Sequence, residues 1–92
     1  MTEKQTKEKT PFFSIITVTR NNLAGLKKTQ NTIKIQKTKD FEWLIIDGAS
    51  TDGTPDYLKT LPHTSTSEPD DGIYDAMNKG INRAKGRYIL FL

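Results

Sequence analysis

Side chains able to do chemistry crowd into three short stretches: Thr19-Arg20-Asn21-Asn22, the segment DGASTDGT at 47–54, and SEPDDG at 67–72. Carboxylates stand out among them: Asp47, Asp52, Asp70 and Asp71. An ionised carboxylate only accepts hydrogen bonds, so such a set suits the N–H of a nucleobase or the hydroxyls of a ribose. It does not suit a bare diphosphate, which would have to arrive neutralised by Mg2+ or Mn2+. The same residues also serve a plainer end. Asp-Gly occurs at 47–48, 52–53 and 71–72, and each pair is an ordinary turn signal.

Other chemistries can be tested against the sequence and set aside. Gly48 and Gly53 match the two glycines of a phosphate-binding P-loop, but Thr54 and Pro55 stand where Lys and Ser or Thr are needed, and Asp52 would put a negative charge in the cradle. There is no G-x-G-x-x-G dinucleotide fingerprint. The single histidine, His63, has no nucleophilic serine nearby and is expected to be exposed in its Pro/Thr/Ser loop. With no cysteine, disulfides and thiolate metal sites are excluded.

The elements that must position these residues follow from hydrophobic pattern. Phe12 to Val18 and Phe41 to Ile46 read as buried strands, apolar almost throughout. Leu23 to about Gln36 predicts a helix with a thin apolar stripe (Leu23, Leu26, Ile33). Thr54-Pro55 is a helix start, with Thr54 as capping hydroxyl, opening a short helix to Leu61. His63 to Ser67 is a weak third strand. Tyr74 to Lys85 carries Met77, Ile81 and Ala84 as a helical stripe, with Gly86 as its stop, and Arg87 to Leu92 is a last buried strand. Alternating strands and helices predict an α/β fold: a Rossmann-like open parallel sheet of three to four strands, with helices on both faces. In such a sheet ligands bind beyond the carboxyl ends of the strands, where all three chemical stretches fall. That convergence favours a site over turn formation alone.

Composition bounds the rest. The 92 residues are 34% hydrophobic with a net charge of +3, and no apolar run approaches a membrane span. Residues 1–11 are expected to be a disordered polar tail, with residues 12–92 forming the domain. The N-terminus has no signal-peptide pattern. Six basic residues and no acidic one lie between Arg20 and Lys39, whereas nine acidic residues face the single Lys59 between Asp40 and Asp75. The basic stretch reads as a solvated helix face. Nucleic-acid binding through it is disfavoured because no aromatic residue interleaves the lysines and the acidic middle would repel phosphates.

Four blocks in order, SIITVTRN at 14–21, WLIIDGASTDGT at 43–54, SEPDDGIYDAMNKG at 67–80 and AKGRYILFL at 84–92, resemble the start of bacterial family 2 glycosyltransferases. These are nucleotide-diphospho-sugar transferases with a type A fold. The resemblance implies a transferase of the hexosyltransferase type, carrying sugar from a nucleotide-diphospho-sugar, UDP-sugar favoured, to a glycan or lipid-linked acceptor in bacterial surface polysaccharide synthesis. It implies a cytoplasmic location, at most peripheral to the inner face of the membrane. It also implies that Thr19, Arg20 and Asn21 lie by the base, that Asp47, Gly48, Ser50 and Asp52 form a loop facing base or ribose, and that Asp70, Asp71 and Gly72 close over the nucleotide. Asn78 would support the site from behind.

The chain departs from the family where Val18 and Arg20 replace the commoner Pro and Tyr, where Gly48 replaces a second Asp, and where Met77 stands in place of Arg. The family's Asn/Asp-x-Asp metal ligands and its general base are expected beyond Leu92. No catalytic or metal-ligating role is therefore assigned within this chain. The sequence ending on the apolar run Tyr88 to Leu92 is expected to be the nucleotide-binding part of a longer enzyme, inactive alone and prone to self-association. A non-catalytic nucleotide-binding or assembly module is the alternative.

Overall fold

The computed structural model describes residues 10–36 and 40–92; the expected tail at 1–11 falls almost wholly outside them. Four parallel strands form one sheet in the order β3-β2-β1-β4, where β1 is Phe13–Thr19, β2 Phe41–Asp47, β3 Thr64–Ser67 and β4 Tyr88–Phe91. Three helices connect them: α1 Leu23–Lys34, α2 Thr54–Leu58 and α3 Ile73–Arg83. The chain lays down β1, β2 and β3 outward in one direction. It then crosses back through α3 to place β4 on the other side of β1. The carboxyl end of β1 is thus the point where strand order reverses, and there a parallel sheet opens a crevice.

Strand alternation sorts the core into two layers. Ile15, Trp43 and Ile45 project to one face, where they pack with Leu26 and Ile33 of α1 and Leu58 of α2. Ile16, Leu44 and Ile46 project to the other and meet Ala76 of α3. Helices therefore cover both faces, as the near-continuous apolar runs of β1 and β2 require. The indole N–H of Trp43 is not wasted in the first layer: it donates to the Thr17 hydroxyl at 2.9 Å. At the opposite edge of the sheet, Glu42 accepts from the Ser14 hydroxyl and from the Lys85 backbone N–H, tying β1, β2 and the α3–β4 turn together.

Several expectations are corrected by packing. The buried stripe of α3 is Ala76 and Gly80, with Met77 only half-buried and Ile81 exposed. Its small residues let the helix lie directly on the sheet: a Cβ on Gly80 would come 2.6 Å from Ile16 Cγ2. Gly86 does not terminate α3, whose C-cap is Ala84. Its missing side chain instead admits the Phe13–Ser14 backbone, 2.6 Å from where a Cβ would sit. The cap of α2 is Gly53, and Thr54 is already helical; the capping acceptor is Asp52, whose carboxylate takes the Thr54 N–H at 3.1 Å. His63 is half-buried, its ring edge-on to Trp43 at 5.0 Å between centroids, and burial pulls its pKa below the usual histidine value. The largest difference is β4. Expected to be buried, it is exposed from Tyr88 (54%) through Ile89, Leu90 and Phe91, because it is an outer strand paired only with β1 and neither core layer reaches it.

The basic stretch behaves as a solvated face. Lys27, Lys28 and Lys34 are exposed on α1, with Lys27 lying over the Tyr57 ring at 5.1 Å; Lys37 and Lys39 fall outside the described residues. Among the described residues no helix is long and apolar enough to cross a membrane.

Candidate functional site

Beyond the carboxyl ends of the strands lies a cleft of about 250 Å³, lined by Val18, Thr19 and Arg20 from the end of β1, Asp70 and Gly72 from the β3–α3 loop, and Ile73 and Ala76 from α3. Val18 and Ala76 border the second core layer, so the cleft lies on the α3 face of the sheet. Its lining joins apolar side chains (Val18, Ile73, Ala76) with polar ones (Arg20, Asp70), a composition suited to a flat ring edged with hydrogen-bonding groups.

Four expected residues, Thr19, Arg20, Asp70 and Gly72, line this cleft directly. Gly48, the residue after β2, lies beside two of them. A Cβ there would stand 2.8 Å from Asp70 Oδ2 and 3.6 Å from Arg20 Cδ, so the absent side chain is what lets these two charged residues flank one spot. One oxygen of Asp70 is engaged, Oδ1 accepting the Gly72 N–H at 3.0 Å in a tight turn. Oδ2 receives no hydrogen bond from another described residue. The guanidinium of Arg20 is exposed and likewise forms no hydrogen bond or ion pair with a described residue. Gly72, with φ of 113° and ψ of −179°, holds a conformation reserved for glycine as the chain enters α3.

The loop after β2 is different in kind. Asp47 is fully buried, and by strand alternation it sits on the α1 face with Ile45 rather than in the cleft. Its carboxylate accepts from the Ser50 N–H (2.9 Å), the Ser50 hydroxyl (2.6 Å) and the Ser67 hydroxyl (2.7 Å). Ser50 Oγ in turn accepts the Asn21 N–H at 2.7 Å, and Asn21 Oδ1 accepts the Thr51 N–H at 2.8 Å. These bonds lock Asn21 and Ala49 in the left-handed region, at φ of 49° and 56°. Asp52 accepts the Leu23 N–H at 3.0 Å and the Thr54 hydroxyl. The Thr54 bond is the main cause holding the Asp52 carboxyl below the usual aspartate pKa. Asp47, Ser50, Asp52 and Asn21 therefore knit the β1 and β2 loops to each other and leave the cleft to the others. Asp71 is exposed outside the cleft lining, with only its N–H engaged, donating to Asp75 Oδ2 at 2.9 Å.

Three residues escaped the sequence reading: the apolar wall of Val18, Ile73 and Ala76. The signal was there in part, since Val18 and Ala76 belong to the strand end and helix start that flank the chemical stretches. Asn78, expected behind the site, is exposed on α3. Among the described residues no group of three or more His, Asp or Glu side chains could hold a metal ion. Two of the four loop carboxylates are consumed by internal hydrogen bonds, so the residues present do not make a cation site on their own.

An open parallel sheet with helices on both faces and a mixed-charge cleft beyond its strand ends defines a doubly wound type of α/β protein, with the cleft where such sheets bind ligands. Residues 14–92 match the sequence model of Glycosyl transferase family 2, and the chain belongs to that family. It is 40% identical over 91 residues to a PGL/p-HBAD biosynthesis glycosyltransferase of Mycobacterium bovis, covering 89% of this chain and 34% of the relative. It is 34% identical over 88 residues to TuaG of Bacillus subtilis, whose name assigns it provisionally to teichuronic acid biosynthesis, covering 89% of this chain and 35% of that one. The chain spans about a third of the length of these curated relatives.

Among solved structures the fold matches S. aureus TarS 1–349 in complex with UDP-GlcNAc, with a TM-score of 0.79, 24% identity, and coverage of 88% of this chain and 26% of that one. It also matches the mannosyltransferase PcManGT of Pyrobaculum calidifontis in complex with GDP-Man and Mn2+, with a TM-score of 0.72, 26% identity, and the same two coverages. The expected type A glycosyltransferase fold and family are both met.

Proposed function

We propose that this chain binds the nucleotide of a nucleotide-diphospho-sugar, and that the whole protein transfers the sugar to a glycan or lipid-linked acceptor in bacterial surface polysaccharide synthesis. The observation that carries the proposal is an Asp70 carboxylate oxygen and an Arg20 guanidinium, neither hydrogen-bonded to another described residue, on either side of Gly48 beside a cleft walled by Val18, Ile73 and Ala76. The apolar wall takes the flat face of the base. Asp70 Oδ2 accepts one base or ribose proton. Arg20 offers a planar fork of donors that suits a base carbonyl or a phosphate oxygen.

In the transfer, the acceptor oxygen forms a bond to the anomeric carbon while the bond from that carbon to the diphosphate breaks, and the acceptor proton passes to a general base. The described residues bind and orient the donor; none of them is assigned as that base. A Mg2+ or Mn2+ ion would supply charge neutralisation to the leaving diphosphate. PcManGT, bound to Mn2+ and GDP-Man, supports such a need, but the described residues of this chain offer no donor set for it. UDP is favoured over GDP because one free carboxylate oxygen matches the single ring N–H of uracil, whereas guanine presents two adjacent N–H donors. A cytoplasmic location, where nucleotide-sugars are made, follows from this reading.

The test is calorimetric titration of UDP and of GDP, each with Mn2+, into the full chain. Saturable binding of UDP, at least about tenfold weaker in Arg20→Ala and Asp70→Ala, is the expected result. No saturable binding of either nucleotide would overturn the proposal.

A further inference from the structure

One charged side chain of α3 is drawn away from solvent and toward the cleft loop without entering the cleft. The Lys79 side chain is only 20% exposed. Its ammonium donates to the Pro69 carbonyl at 2.8 Å, pairs with Glu68 Oε2 at 3.0 Å and lies 3.9 Å from Asp75 Oδ2. Asp75 Oδ2 is the same oxygen that accepts the Asp71 N–H. Through these contacts one cation holds residues 68, 69 and 71 of the β3–α3 loop against the helix, on both sides of Asp70. The start of the loop is also tied to β2, where the Glu68 N–H donates to the Asp47 carbonyl at 3.0 Å. The ammonium thus has two close acceptors and a second carboxylate within ion-pair distance. The Glu68 hydrogen bond raises the Lys79 pKa further above its ordinary value, so the clamp stays charged across the physiological range.

We propose that Lys79 is a positioning residue: it sets the place of the Asp70 carboxylate in the cleft by pinning the loop that carries it. This rests on the nucleotide-binding reading above. Lys79 does not line the cleft; it reaches the site through the loop it holds, and its charge also attracts the Asp70 carboxylate, so loop exchange is the readout that isolates positioning. The geometry makes two demands of the side chain, a positive charge for Glu68 and Asp75 and a donor for the Pro69 carbonyl. Arginine can meet both, and methionine neither.

The experiment compares Lys79→Met, Lys79→Arg and Ile33→Val in the full chain. Ile33 packs on the opposite face of the sheet and reports the effect of destabilisation alone. Three quantities are read: the UDP affinity with Mn2+, the thermal midpoint, and amide hydrogen exchange at Glu68, Asp71 and Gly72. Lys79→Met is expected to weaken UDP binding about tenfold and to speed exchange at Asp71, with Lys79→Arg restoring most of both. Ile33→Val, even at a similar midpoint, should leave affinity and loop exchange unchanged. Unchanged UDP affinity in Lys79→Met, or a loss matched by Ile33→Val at equal midpoint, overturns the role of Lys79 while leaving the nucleotide site standing. A loss that Lys79→Arg does not restore also overturns it. Failure of the unmodified protein to bind UDP or GDP overturns the functional reading, and this one with it.

Discussion

The loops that follow β2 and β3 are built from the same kinds of residue, aspartate, glycine and serine, yet they do opposite things. In the β2 loop, Asp47 and Asp52 spend their oxygens on backbone and hydroxyl donors from three neighbouring segments. In the β3 loop, Asp70 keeps one oxygen free and faces the cleft, while a lysine outside it holds the backbone in place. One loop is scaffold and the other is the face the scaffold presents. The lesson is that a carboxylate's neighbours, rather than its presence at a sheet edge, decide whether it is available to a ligand.

The sharpest way to break this contrast is to remove its buried half. Asp47→Ala strands the Ser50 hydroxyl and N–H in a buried site and unties the exposed Ser67, and should cost about 2–3 kcal/mol of stability, read as a shift in the urea midpoint. Asp71→Asn, at an exposed position on the other loop, should stay within about 0.5 kcal/mol. Equal losses in the two variants would mean the loops are not divided as described.

Next in size is Gly48→Ala. The new methyl must displace the Asp70 carboxylate, so UDP affinity should fall about tenfold while stability drops by only about 1 kcal/mol. Calorimetry and thermal melting of one preparation measure both. A fall in stability with affinity intact would shift the role of Gly48 from site to scaffold.

Acid stability sharpens the same division with smaller effects. The Asp52 carboxyl titrates below its ordinary value because the Thr54 hydroxyl and the backbone N–H groups of Leu23, Thr54 and Asp52 itself favour the anion. Its contribution is present above the unfolded-state pKa near 3.8 and is lost as pH falls through the lower folded-state value. Asp52→Asn should therefore flatten the melting profile below that pH and leave UDP affinity at pH 7 unchanged. The smallest effect belongs to His63. Burial lowers its pKa, so stability is complete above the unfolded value of 6.5 and declines as pH drops from there toward the folded value. His63→Gln should remove that slope from the melting curve; an unaltered slope would assign it elsewhere.

Much of the fold could be read from residue pattern. The FSIITVT and FEWLIID runs are apolar on both faces, which only a strand covered by helices on two sides tolerates, and the structure has that cover. The α3 stripe was placed one residue off because the sequence pattern weighs large side chains, while close helix–sheet approach selects small ones, Ala76 and Gly80. The apolar run of β4 and the prospect of apolar surface left uncovered were legible; which side of the sheet the strand joins was not.

By itself, then, the sequence determined the order of strands and helices and the gathering of polar residues at the carboxyl edge, because both are written in local periodicity and turn chemistry. Tertiary structure alone decided which of those residues share a cleft. Asp47 and Gly48 are neighbours in the chain, but strand alternation sends them to opposite faces of the sheet. Arg20, Gly48 and Asp70 meet only because parallel pairing aligns the ends of β1, β2 and β3.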